Sequence, residues 1–187
     1  MLTSDKPRQP SRVALLHAGR QILAEEGMAG LSLRSITRRV GISAAASYRY
    51  FADREHLLAA IATSGVWELT AELETADKTS TSPLPAQASA YVRFALGNPA
   101  LYKLIFSPER FGHYPELESA LATSYAVLAT RVAKTLLPSS DVAAKSLACW
   151  CLLHGVASLA IDHHLPAQEA SPEEQAARLI STIVAAR

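Results

Sequence analysis

The sequence predicts an all-α protein, and three observations carry that prediction. Apolar residues recur at three- and four-residue spacing in nearly every segment, and no stretch shows the two-residue alternation of a half-buried strand. The periodic segments are opened by capping residues such as Ser32, Ser43, Asp53, Asp141 and Ser171, and closed by glycine, proline or polar breaks. Hydrophobic residues make up 49% of the 187, enough to bury a core without disulfides or a metal.

Residues 1–10 are polar, charged and broken by Pro7 and Pro10, so they read as a disordered arm rather than a signal peptide. The first helix spans about Ser11 to Glu26, with Leu15, Ala18, Gly19, Ile22 and Leu23 on one face, and Gly27 ends it. Ser32 caps a second helix through about Val40, turning Ile36 and Val40 inward. Gly41 gives the permissive backbone that a tight turn needs, and Ser43 caps a third helix to about Tyr50. Two short helices joined by about three residues of turn have the spacing of a helix-turn-helix.

Asp53 caps a long fourth helix carrying Leu57, Leu58, Ile61, Ala62, Val66, Leu69 and Leu73, and residues 77–85 read as a linker. A helix from about Ala86 to Leu96 follows, then a short one opened by Asn98-Pro99 and closed by Pro108. Residues 108–115 read as a loop. Glu116 to Leu137 is a long helix, and Asp141 to His164 is apolar nearly all round, which predicts burial on more than one side. Ser171 to Glu174 is a capping box opening a last helix striped by Leu179, Ile180, Ile183 and Val184.

The net charge of +1 hides a division. Residues 1–56 hold nine Lys and Arg against five acids, and residues 57–187 hold nine against twelve. A positive end built on a helix-turn-helix suits a polyanion, which points to double-stranded DNA. The DNA-binding unit is accordingly assigned to residues 11–56, with Ser32, Arg34, Ser43, Ala44, Ala45, Ser47, Tyr48, Arg49, Tyr50 and Arg54 as candidate contacts. Short side chains in the third helix let the backbone approach the groove and pack on thymine methyls, but they make no bidentate base contact. Tyr48 and Arg49 suit phosphates, which position without reading sequence. Tyr50 reads either as a contact or as core, and Phe51 as core. Arg54 sits where a cation opposes the helix dipole, which an adjacent phosphate would relieve. Arg38 and Arg39 point to different sides, so one faces DNA.

Nine of the twelve aromatics fall between Trp67 and Trp150. Trp67, Tyr91, Phe94, Tyr102, Phe106, Phe111, Tyr125, Trp150 and His154 are therefore candidates for a pocket taking a small-molecule effector. None of Arg93, Lys103, Arg110, Arg131, Lys134 and Lys145 falls on a clearly buried stripe, so the expected effector is mostly apolar with one or two hydrogen-bonding groups. The last two helices retain apolar surface at Leu152, Leu159, Leu179, Ile180, Ile183 and Val184, which predicts a homodimer through a four-helix bundle. Cys149 and Cys151 read as buried free thiols, with redox sensing as the alternative, and fit a cytoplasmic protein. The uncharged run from Ser146 to Ile161 is short of a bilayer span, so no membrane partner is expected.

Asp162, His163 and His164 lack a further ligand at metal spacing, so neither metal nor cofactor is expected. There is no phosphate loop and no nucleophile motif, which argues against a helical enzyme. A regulator without an effector is the other alternative.

The stretch from Leu15 to Ala60 resembles the DNA-binding domain of the tetracycline-repressor family of bacterial regulators. The resemblance rests on Gly27, Ser32, Ile36, Val40-Gly41-Ile42-Ser43, Tyr48-Arg49-Tyr50-Phe51 and Asp53-Arg54-Glu55-His56-Leu57. Ala45 stands where the family commonly has glycine. Tyr91 to Phe106, with Trp150 and His154-Gly155, resembles that family's sensing domain named for Trp-His-Gly residues. The resemblance implies a homodimeric repressor on a palindromic operator, with residues 57–187 sensing a ligand whose binding releases the DNA.

Overall fold

The computed structural model describes residues 11–107, 113–136, 141–166 and 169–185, with the side chain of Ala44 left aside, and the described residues form helices and no strand. In α1 (Arg12–Gly30) the Ser11 hydroxyl accepts from the Ala14 amide. Gly27 breaks the helical dihedrals with φ of 66°, but a further turn follows it, so α1 runs past its expected end. In α2 (Leu33–Val40) Ser32 and Ser35 cap each other's backbone, and Gly41 closes the helix in the left-handed conformation at φ 77°. That conformation costs a side chain roughly 1–2 kcal/mol. α3 (Ala44–Ser47) is shorter than expected, because the Tyr50 and Phe51 amides both turn back onto the Ser47 carbonyl.

α4 (Arg54–Thr79) starts at the Asp53 cap and continues through the first third of the expected linker. α5 (Pro83–Gly97) and α6 (Pro99–Ile105) meet at Asn98, whose side chain donates to the Phe94 carbonyl. Asn98 therefore closes α5 instead of capping α6. α7 (Pro115–Thr135), α8 (Val142–Ile161) and α9 (Pro172–Ala185) complete the chain. The capping box before α9 forms as expected: Ser171 Oγ accepts from Glu174, and Glu174 Oε2 accepts from Ser171.

Helices α1 to α3 close around Leu15, Ile22, Leu23, Leu31, Ile36 and Phe51. Gly19 lets α1 approach the next layer, since a Cβ there would lie 2.6 Å from Ile61. α4 then runs through the molecule, packing on α1 at one end and on α5, α6 and α7 beyond. Its Gly65 is crossed by Leu101 of α6, which a Cβ would meet at 2.9 Å. Asp77 near the α4 end takes a bidentate ion pair from Arg131 of α7 and a hydrogen bond from Gln87 of α5, fixing three helices together.

The central helix is α5, which packs against α4, α7, α8 and α9 and buries Tyr91, Val92, Phe94 and Ala95. That overturns one expectation. α8 is apolar all round but buries one side only, leaving Leu147 55% and Leu159 44% exposed. α8 is also long and apolar enough to cross a membrane by length and composition, yet it packs on α5, α7 and α9. Cys149 is buried and its thiol is pushed up to about 11, whereas Cys151 is exposed, contrary to expectation.

Candidate functional site

The helix-turn-helix carries its polar surface on α2 and on the residues around α3. Arg34, Arg38, Ala45 and Arg49 are exposed, and Tyr48 is 62% exposed. Arg39 is committed elsewhere: its guanidinium lies 2.7 Å from Glu25 and 3.5 Å from Glu26 on α1. Hydrogen bonding and charge from Arg39 hold the Glu25 carboxyl below its usual range. Arg38 is also exposed and has no such ion pair among the described residues.

Five candidate contacts also take structural positions. Ser47 is buried, 1% exposed, because α3 turns it into the core below the helix. Tyr50 is half-buried and packs against that core. Arg54 donates from Nε to the Leu31 carbonyl at 3.3 Å, tying the start of α4 to the α1–α2 junction. Ser32 spends its hydroxyl on the α2 cap, and Ser43 caps α3 in the same way while staying exposed. The Ala44 side chain lies outside the described residues.

In the C-terminal body, five of the predicted aromatics and His154 converge from α5, α6, α7 and α8. Trp150 packs edge-on against both Tyr91 and Tyr125, with centroids 5.5 and 5.7 Å apart. Tyr102 packs on Tyr91 and Phe106, and Phe106 meets the His154 ring at 4.6 Å. A hydrogen-bonded chain threads this cluster. The Tyr91 and Tyr102 hydroxyls are 3.1 Å apart, and the Tyr102 hydroxyl is 2.8 Å from His154 Nδ1.

Burial pushes Tyr91 well above its usual range, pushes Tyr102 up to about 12 and lowers His154, so all three groups are neutral near pH 7. Ser158 is a further hydrogen-bond partner of Tyr102. In one arrangement that gives each buried hydroxyl an acceptor, Tyr91 donates to Tyr102, and Tyr102 donates to His154 Nδ1. The imidazole proton then sits on Nε2, which makes no hydrogen bond among the described residues.

Beside the chain lies a cavity of about 210 Å³ lined by Tyr102, Phe106, His154, Ser158 and Ile161, with Lys103 and Asp162 at its edge. Those two are paired at 2.6 Å, joining α6 to the end of α8. Lys103 thus reaches the site, which its place in the sequence did not suggest; the signal available was its position next to Tyr102. Trp67 does not join the cluster. It is 47% exposed and lines a separate cleft of about 620 Å³ between α1, α4 and α7, with His56 and Tyr114. Phe94 is buried on α5, and Phe111 lies outside the described residues.

The candidate dimer residues divide in the same way. Leu159 and Leu179 are exposed, and Leu152, Ile183 and Val184 are half-buried. Ile180 is fully buried within the chain, so it fills the body's own core, not a partner surface.

Comparison with known proteins places this geometry. The family described as bacterial regulatory proteins, tetR family, matches residues 15–61, and tetracyclin repressor-like, C-terminal domain, matches residues 84–183. The HTH-type transcriptional regulator Rv1816 of Mycobacterium tuberculosis is 29% identical over 123 residues, covering 62% of this chain and 53% of that protein. The chain thus spans about half the length of the curated relatives it matches. A solved protein of unknown function from Rhodococcus sp. RHA1 is 29% identical with a TM-score of 0.82, covering 97% of this chain and 98% of that one. The transcriptional regulator FadR from Bacillus subtilis, solved in complex with stearoyl-CoA, shares the fold at a TM-score of 0.71 and 13% identity, covering 93% of this chain and 98% of that one.

Proposed function

Since the chain belongs to the tetR family of bacterial regulatory proteins, we propose that it is a ligand-responsive repressor, binding a palindromic operator in the cytoplasm as a homodimer. The observation that carries this reading is the pairing of a complete helix-turn-helix with an aromatic cluster in a separate helical body. The turn at Gly41 presents α3, and Arg34, Arg38, Tyr48 and Arg49 stand exposed around it. Such residues bind the phosphate backbone, while the small exposed Ala45 allows close approach to base edges.

The dimer forms through the exposed apolar side of α8 and α9, where Val142, Leu147, Leu159 and Leu179 offer a patch that water disfavours. The effector binds beside Tyr102 and His154. A cavity of about 210 Å³ is small against the roughly 300–1,000 Å³ of drug-sized sites, so the effector is a small one. α6 connects this site to the DNA-binding end, since it borders the cavity and packs on both α1 and α4. A ligand that favours one placement of α6 need supply only about 1–3 kcal/mol of differential binding to shift DNA affinity.

A mobility-shift titration tests the reading. Sequence-selected duplex should be retarded as a dimer complex and random duplex only weakly, and an active metabolite fraction should release the DNA. Equal retardation of both duplexes would contradict the operator assignment.

A further inference from the structure

His154 lines the cavity and hydrogen-bonds the Tyr102 hydroxyl through Nδ1. In the tautomer in which Nδ1 accepts, Nε2 carries the proton and donates to an acceptor that enters. The Ser158 hydroxyl stands one turn away on α8 and lines the same cavity. At the edge is the Lys103 ammonium, held by the Asp162 carboxylate at 2.6 Å, with both side chains about half exposed. Phe106 and Ile161 supply the apolar walls.

The arrangement is therefore a set of donors around a small apolar space, and its cation already binds one carboxylate. An exposed Lys–Asp pair contributes little on its own, typically under about 1 kcal/mol, so a competing carboxylate that also gains the imidazole donor can displace Asp162.

Resting on the sensing-pocket reading above, we propose that this cavity takes a small monocarboxylate with a short apolar or aromatic body, its carboxylate bridging Lys103 Nζ and His154 Nε2. The sequence points to a mostly apolar effector with one or two hydrogen-bonding groups; Lys103 at the cavity adds a charged one. An amide of the same shape offers one neutral acceptor and gains no charge pairing with Lys103.

Calorimetric titration of the intact protein tests this, with benzoate and phenylacetate as probes beside benzamide and phenylacetamide. The carboxylates should bind at least about tenfold more tightly than their amides. Lys103→Met should abolish that preference, Lys103→Arg should retain it, and Asp162→Asn should strengthen carboxylate binding by removing the competitor. Thermal melts of each variant identify any that fails to fold. Amides binding as well as carboxylates, an undiminished preference in folded Lys103→Met, or no heat from either carboxylate at millimolar concentration would overturn the proposal. Mobility shifts on the same samples separate it from the gating reading. A carboxylate that binds without affecting DNA affinity sinks gating and leaves the ligand class standing, whereas DNA binding with no carboxylate binding sinks the ligand class alone.

Discussion

At Gly41 the backbone turns at φ 77°, and no atom lies near enough to obstruct a side chain there. A substitution therefore acts through strain alone. Gly41→Val should cost at least about 1–2 kcal/mol in urea unfolding and weaken DNA binding by misplacing α3. Arg49 is exposed next to Tyr48. In a symmetric dimer Arg49→Ala removes two phosphate contacts, so the log–log salt slope should fall by about two, with cognate and random duplex weakened alike.

His154 gives a pH dependence with a definite sign. Burial lowers it from the ordinary 6.5, so the unfolded chain takes up the proton first as pH falls. Its contribution is present above the ordinary value and is lost as pH drops through the lowered one. Urea titrations at about pH 7.5 and about pH 5.5 should show the loss in the parent and a smaller one in His154→Gln. Single residues were unevenly legible. The exposure of Tyr48 and Arg49 was readable from motif position, but the burial of Ser47 depended on where α3 ends. That Arg39 is paired and Arg38 is not depended on α1 placing Glu25 and Glu26 beside Arg39.

The helices themselves were largely written in the caps. Ser32, Asp53 and Ser171 start α2, α4 and α9 where expected, because a side-chain acceptor for free amides is a local signal. What lay beyond local signals was which side of each helix meets a neighbour. α8 has no polar face to mark its outside, so nothing in its sequence singles out Leu147 and Leu159 as exposed. α9 does carry a stripe, yet Ile180 within it belongs to the chain's own core. This gives a paired prediction for assembly. Leu159→Glu with Leu179→Glu should leave the helical signal intact and convert dimer to monomer in sedimentation, because both side chains are exposed in one chain. Ile180→Asp should instead destabilise the fold itself by several kcal/mol, roughly the cost of an unpaired buried charge. A folded Leu159→Glu, Leu179→Glu variant that remains dimeric would place the interface elsewhere.

Across the whole molecule, the division of charge and the division of aromatics are two views of one design. The positive excess lies in residues 1–56 and most aromatics lie in the body, and α4 and α6 connect the two. The composition alone showed that division. It did not show that the aromatic cluster would leave only a small cavity, nor that Lys103 would border it, since both depend on how α6 packs across Gly65. If two copies of this chain read DNA together through α3, selection of bound duplexes from a random library, followed by sequencing, will enrich a palindrome whose half-sites lie about one helical turn apart, roughly 34–36 Å or somewhat more. Recovery of no enriched motif, or of a single half-site without a symmetric partner, would contradict it.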